Sequence, residues 1–323
     1  MSERIAVVLC NLGGPDSLES VRPFLFNLFS DPDIFRLPLG FITQRPFARF
    51  VARRRAPEAA KGYAAIGGKS PILEFTNAQA AALARGLGDG FDVHVCMRYW
   101  HPLTDEVVAM LKSKNYSRVI LLPLYPQYSI TTSGSAYNEF MRQCEKQHYH
   151  PAVTLVRQWY DQPDYQGAIV EMLRAEAQKF PDPDPKRIDL LFSAHGLPRK
   201  IVDRGDPYER QIRATYDALR AQLGWPRTTL CYQSRVGPLE WLRPYTDDVI
   251  REKAAAGAKQ IMVYPIAFVS DHVETLFELG ITYADVARER GIKHYRVVPA
   301  LNSHPRFIEA LKSLVLNAVS RHD

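Results

Sequence analysis

Short runs of apolar residues recur along the chain, bounded by Gly, Pro or polar residues and separated by stretches with helical spacing. They read RIAVVLC, DVHVCMRY, RVILLPLY and AVTLVRQ, then RIDLLFS, TTLCYQS, QIMVYPIAF and HYRVVPAL. Strands that are apolar almost throughout, rather than alternating, suit a sheet covered on both faces, because neither side of such a strand meets water. Alternation of these strands with helical segments predicts an α/β fold with parallel sheets flanked by helices.

The second four strands also repeat the first four. RIAVVLCNLGGP lies over RIDLLFSAHGLP, with Leu12 opposite His195 and Pro15 opposite Pro198, and MRYWHPL lies over QSRVGPL. The next two strand–helix units share one offset, which carries Pro123 to Pro265 and Pro163 to Pro305. A constant offset across consecutive units marks an internal repeat, so two similar β/α halves are expected. The Pro/Asp-rich segment 180–187 joins the halves of the repeat. In space the expected domains are 1–160 and 161–304, with the terminal helix 305–323 free to pack on the first. Ligands of parallel α/β sheets collect beyond the carboxyl ends of the strands. NLGGP, MRYWHP, YPQYS, SAHGLP, QSRVGP and FVSDHVETLFEL all fall there, and two such halves facing each other would enclose a cleft.

Composition narrows the classes without choosing among them. At 46% hydrophobic and 24% charged, the 323-residue chain is ordinary for a globular protein. No apolar run approaches the roughly 18 residues of a spanning helix, and the N-terminal IAVVLC is too short for an export signal. Cys10, Cys96, Cys144 and Cys231 are far apart with no CxxC pair, so buried, reduced thiols and a cytoplasmic location are expected. The net charge of +6 permits an anionic partner. Neither GxGxxG nor GxxxxGK[ST] is present, which argues against a dinucleotide site.

His195 is one focus of the candidate chemistry. A core histidine bonded to backbone is the plain alternative, but the repeat places Leu12 at the matching position, so the fold itself needs no polar group there. Gly196 and Pro198 would turn the chain so that the imidazole faces a ligand, where it can move a proton or bind a metal. The second focus is Asp271, His272, Glu274 and Glu278. On an α-helix the three carboxylates would share a face; Asp271 and Glu274 could equally form a capping box. His195 with Glu274 suits a borderline divalent ion such as Fe(II). The third is residues 35–57, which mix Phe35, Leu37, Leu39, Phe41, Phe47 and Phe50 with Arg45, Arg49, Arg53, Arg54 and Arg55. This is either a basic amphipathic surface helix or a membrane-facing, carboxylate-binding lip. Tyr63 and Ser70 flank a Gly-Gly turn, and Arg98, Tyr99 and His101 follow the second strand.

These residues, with RRRAP, YAAIGGKSPI, LPLYPQYSITTSGS, GDPY and YQSRVGPLEWLRP, resemble the ferrochelatase family over essentially the whole chain, SAHGLP and SDHVETL most specifically. The resemblance implies two Rossmann-like domains with four-stranded parallel sheets, and insertion of Fe(II) into protoporphyrin IX to make protohaem. It places the catalytic and metal-site histidine and glutamate at His195 and Glu274, and a proton or metal relay at Asp271, His272 and Glu278. Porphyrin contacts would fall on Arg55, Tyr63, Ser70, Arg98, Tyr99 and Tyr125. Fe(II) is then a substrate, no tightly bound cofactor is expected, and the absence of cysteine after Cys231 predicts no iron–sulfur cluster. Protoporphyrin IX and a membrane surface are the expected partners, and nucleic acid is not. The rivals are a chelatase acting on coproporphyrin or a corrin precursor, a porphyrin or haem carrier and, more distantly, a nicotinamide-dependent oxidoreductase.

Overall fold

A computed structural model describes residues 4–320 apart from residue 36. Every expected strand forms: β1 (Ile5–Asn11), β2 (Phe91–Met97), β3 (Arg118–Pro123), β4 (Ala152–Leu155), β5 (Ile188–His195), β6 (Thr228–Gln233), β7 (Gln260–Tyr264) and β8 (His294–Val297). They make two four-stranded parallel sheets, ordered β2-β1-β3-β4 and β6-β5-β7-β8. The repeat in the sequence is thus a repeat of topology.

Burial follows sheet position. The central strands β1 and β7 are buried along their whole length, whereas the edge strands β4 and β8 are nowhere fully buried. Fully burying one Val, Leu or Ile side chain is worth roughly 1.5–3 kcal/mol. The central strands therefore hold each sheet, and the edges tolerate polar residues such as Thr154 and Arg296. On one face of the first sheet Val8 and Leu121 pack with Val108 and Phe140 of the covering helices. On the second, Leu191 and Val263 pack with Ile250 and Leu279.

The chain divides into two compact units, one running to Trp159 and resuming at Ile308, the other Tyr160–Phe307. Helix Pro163–Ala177, which follows β4, is counted with the second unit. Its repeat counterpart Pro305–Ser320 is counted from Ile308 with the first. Pro163 starts its helix where a missing N–H costs nothing, and the Gln162 side chain accepts from the Tyr165 N–H at 2.6 Å.

In each sheet the strand order reverses beside the first strand of the repeat, between β1 and β3 and between β5 and β7. Such a switch point opens a crevice at the carboxyl ends of the strands. Each unit also has a π-helical segment after its third strand, Ile130–Gly134 and Glu274–Thr282. These wide turns are rare and recur at functional sites.

The basic segment 35–57 enters helix Gly40–Ala65. Gln44, Ala48 and Ala52 form its buried stripe, while Leu39, Ile42 and Phe50 are 62–67% exposed. Of the two readings of this segment, a basic surface helix with an apolar inner face is not what forms, since Gln44, Ala48 and Ala52 turn inward while Ile42 and Phe50 turn outward. The side chain of Phe41 and residues 321–323 lie outside the described residues.

Candidate active site

His195 is the last residue of β5 and Glu274 opens the π-helical segment after β7, so the two flank the switch point of the second sheet. Their groups meet because the imidazole is held from behind. A carbonyl oxygen only accepts, so His195 Nδ1 donates to the Gly196 carbonyl. That leaves Nε2 facing Glu274 Oε1 at 3.7 Å. His272 is set the same way, with Nδ1 donating to the Ser270 carbonyl at 3.0 Å and Nε2 lying 3.4 Å from Glu274 Oε2. One carboxylate thus stands between two imidazoles, each offering Nε2.

The environment keeps that carboxylate charged. Burial opposes ionisation of Glu274, but the facing His195 and His272 outweigh it and bring its pKa down to about 2. Burial alone would lower His272; the Glu274 carboxylate prevails and raises it. Glu274 Oε2 is shielded from water yet lacks a hydrogen-bond partner among the described residues. A buried, unsatisfied anionic oxygen beside imidazole nitrogens fits a borderline divalent cation or a proton in transit.

Aromatic rings wall the imidazoles. Phe268 lies edge-on to both His195 and His272, at centroid distances of 6.2 and 4.5 Å, and Trp241 is 6.4 Å from His195. Tyr208 donates to the His195 carbonyl at 2.9 Å. Position 196 admits only glycine, since a Cβ there would come within 2.8 Å of the Gln233 carbonyl and 3.0 Å of the Trp241 ring.

The acidic row reads differently in three dimensions. Asp271 does not cap a helix with Glu274; the N-cap position is Val273, and no side chain caps it. The Asp271 carboxylate is buried and accepts from Thr275 Oγ1 at 2.9 Å, Asn302 Nδ2 at 2.8 Å and the Ala300 N–H at 3.1 Å. A desolvated carboxylate takes the donors that packing brings to it, and here Ala300 and Asn302 come from the segment after β8 and Thr275 from the π-helical segment. Glu278 is held by the Ser234 N–H at 2.9 Å, Ser234 Oγ, Gln233 Nε2 at 3.2 Å and Tyr283 O–H at 2.9 Å. Beside it an open polar cavity of about 210 Å³ is lined by Arg235, Asp247 and Tyr283 among others. The three carboxylates have three separate settings, not one shared face.

The expected porphyrin positions lie in the first unit, and only two of them are brought together. Arg98 and Tyr99 converge on Asp31, whose side chain is fully buried: Tyr99 O–H donates at 2.6 Å and an Arg98 terminal nitrogen lies at 3.0 Å, with Ser135 Oγ completing the set. Tyr99 is 1% exposed, and burial, reinforced by Asp31, raises its pKa well above the ordinary phenol value. Ser70 is buried against the NLGGP loop, where its N–H donates to the Pro15 carbonyl at 2.8 Å, and only Gly14 leaves room for it. Tyr63 is buried, Tyr125 half-buried and Arg55 exposed. His101 pairs at the surface with Glu106 at 2.8 Å.

Gln233, Ser234, Tyr208, Trp241 and Phe268 went unnoticed as site residues in the sequence. Position was their signal: QSRVGP and FVSDH stand at strand ends, but nothing local shows which side chains reach Glu278 or His195.

The fold has known counterparts. A sirohydrochlorin chelatase from Bacillus subtilis subspecies spizizenii, in complex with cobalt, superposes with a TM-score of 0.58 over 98% of this chain and 96% of its own at 8% identity. A multi-domain Deinococcus radiodurans protein, described as structurally similar to chelatases, gives 0.53 over 97% of this chain and 55% of its own at 14% identity. At those identities the likeness establishes a chelatase-like α/β fold. The sequence defines the family within it. The ferrochelatase family model matches residues 4–319. Ferrochelatases of a Nostoc and a Picosynechococcus species are 46% and 47% identical over 98% of this chain and 83% of theirs. The chain belongs to the ferrochelatase family, enzymes of haem synthesis that insert metal into a porphyrin.

Proposed function

We propose that this protein inserts Fe(II) into protoporphyrin IX, with His195 and Glu274 as its catalytic pair. The supporting observation is the Glu274 carboxylate standing between two imidazole Nε2 atoms with one buried oxygen unsatisfied. The reaction replaces two pyrrole N–H protons by one dication, so charge is conserved and the enzyme must accept two protons while iron sheds water. His195, with Nε2 free of any backbone bond, receives a pyrrole proton. Glu274, kept anionic by the two imidazoles that face it, orients the incoming iron and stabilises the imidazolium formed beside it. Asp271 and Glu278, fixed by neutral donors, position this machinery and add negative charge behind it. Arg55 and Tyr125 retain surface to meet the porphyrin, while Arg98 and Tyr99 hold the supporting wall.

Anaerobic addition of Fe(II) to protoporphyrin IX, followed through the visible spectrum, is expected to show protohaem formation faster than with coproporphyrin. A clear preference for coproporphyrin would change the substrate, and porphyrin binding with no turnover on either would indicate a carrier.

The enzyme works at a membrane surface as a peripheral protein. Among the described residues no helix is long and apolar enough to cross a membrane. The support is helix Gly40–Ala65, where exposed Ile42 and Phe50 accompany Arg45, Arg49 and Arg53, a pattern suited to anionic lipid. The protein is expected to sediment with anionic liposomes at low salt and to be released by Ile42→Asp with Phe50→Asp. Sedimentation that does not depend on these residues or on lipid charge would remove this surface.

A further inference from the structure

We propose that Gln233, which no proton or metal transfer requires, is a positioning residue for metal insertion, its carboxamide tying the His195 strand to both Glu274 and Glu278. The inference rests on the His195–Glu274 reading above.

Gln233 ends β6 directly beside His195 in the sheet and is 2% exposed. Its backbone carbonyl accepts the Gly196 N–H at 2.8 Å, which anchors the residue whose own carbonyl, in the next peptide, accepts from the His195 ring. Its side chain points the other way along the site. Nε2 donates to the Glu274 carbonyl and to Glu278 Oε2, each at 3.2 Å, while Oε1 accepts from Ser193 Oγ at 2.7 Å. Both acceptors of Nε2 can only accept, so the orientation of the amide is settled by chemistry. Ser193 is in turn held by Thr246 Oγ1 at 2.8 Å, which makes the acceptor end rigid.

The next residue strengthens the case. Ser234 has φ +64°, a left-handed conformation that costs a non-glycine residue energy unless its surroundings demand it. That conformation aims both its N–H and its Oγ at Glu278. Strand end and π-helical segment are thereby clamped through one carboxylate, with Gln233 the member that also reaches the Glu274 backbone. No isostere replaces it. Glutamate would set an anion against Glu278 and the Glu274 carbonyl, and methionine offers no donor.

Outer-sphere partners of metal-binding side chains typically contribute 10–100-fold in metal affinity or activity. Gln233→Met and Gln233→Glu are each expected to lower kcat/KM for Fe(II) by about 10–100-fold, with KM for porphyrin within about twofold and thermal unfolding still a single cooperative transition, at a lower midpoint in the glutamate variant because a second anion is buried against Glu278. Because Gln233 and Glu278 act as one clamp, Gln233→Met combined with Glu278→Gln should lose no more than the worse single variant. His195→Ala, measured alongside, separates the two levels of inference. If His195→Ala keeps its turnover, the underlying catalytic reading fails. If His195→Ala is inactive but both Gln233 variants stay within twofold of wild type for Fe(II), the positioning role fails alone. Equal losses in porphyrin affinity and iron turnover, or multiplying losses in the double variant, would likewise overturn it in favour of a purely structural role. Should Gln233→Glu not fold, the same readings are taken from Gln233→Met, which buries no charge.

Discussion

His195→Ala is expected to slow Fe(II) insertion by about 10²–10⁴-fold, the usual contribution of a positioned proton-transfer group. Porphyrin binding and folding should survive. The ring is 37% exposed and makes one hydrogen bond, to its own neighbour's carbonyl, so its removal leaves neither a closed cavity nor a distant orphaned group. What disappears is the Nε2 facing Glu274. Glu274→Gln, which keeps the shape and removes the charge, should also impair turnover, because the opposed imidazoles lose the anion they face. The wild-type carboxylate, with its pKa near 2, is not neutralised by mild acid, so acidification alone does not mimic that variant. Visible-spectrum assays under anaerobic conditions, with porphyrin fluorescence to confirm binding, measure all of this. A folded, porphyrin-binding His195→Ala with near-normal turnover would take His195 out of the mechanism.

The second large effect concerns the first unit. Asp31→Ala should destabilise it by about 3–5 kcal/mol, because taking one partner from a buried ion pair leaves the other charge uncompensated. Arg98, with its side chain 12% exposed, would keep Ser135 Oγ at 2.8 Å but no carboxylate nearer than Glu139 at 3.8 Å, and Tyr99 O–H would lose its carboxylate acceptor inside the packing. Asp31→Asn should cost less, since one acceptor oxygen remains. In urea the Asp31→Ala midpoint, followed by loss of helical circular dichroism, is expected to fall by roughly 1 M or more. A loss below about 1 kcal/mol would show that Arg98 and Tyr99 find other partners without Asp31.

Much of this architecture was legible along the chain because strand burial is a local property. A run such as AVVLC is apolar at consecutive positions only where both faces are covered, and all eight runs became strands. Repetition of the pattern anticipated two sheets of one topology. His195 stood out because the repeat set an aliphatic residue at its counterpart, leaving the imidazole unexplained by folding. The acidic segment was harder. Its spacing is helical, but it winds as a π-helical turn, and the pattern of carboxylates does not distinguish the two. Arg98 and Tyr99 look like ligand contacts in MRYWHP, yet Asp31 claims them from 67 and 68 residues away.

By itself, then, the sequence determined the α/β class, the doubled topology and the strand end that carries His195, since these follow from periodicity and turn chemistry within a few residues. Only the tertiary structure decided which donors reach each carboxylate. Asn302 finds Asp271 across 31 positions and Gln233 finds Glu278 across 45. Hydrogen bonds form over a few ångströms between groups that the fold alone brings together, and no local pattern records which will meet.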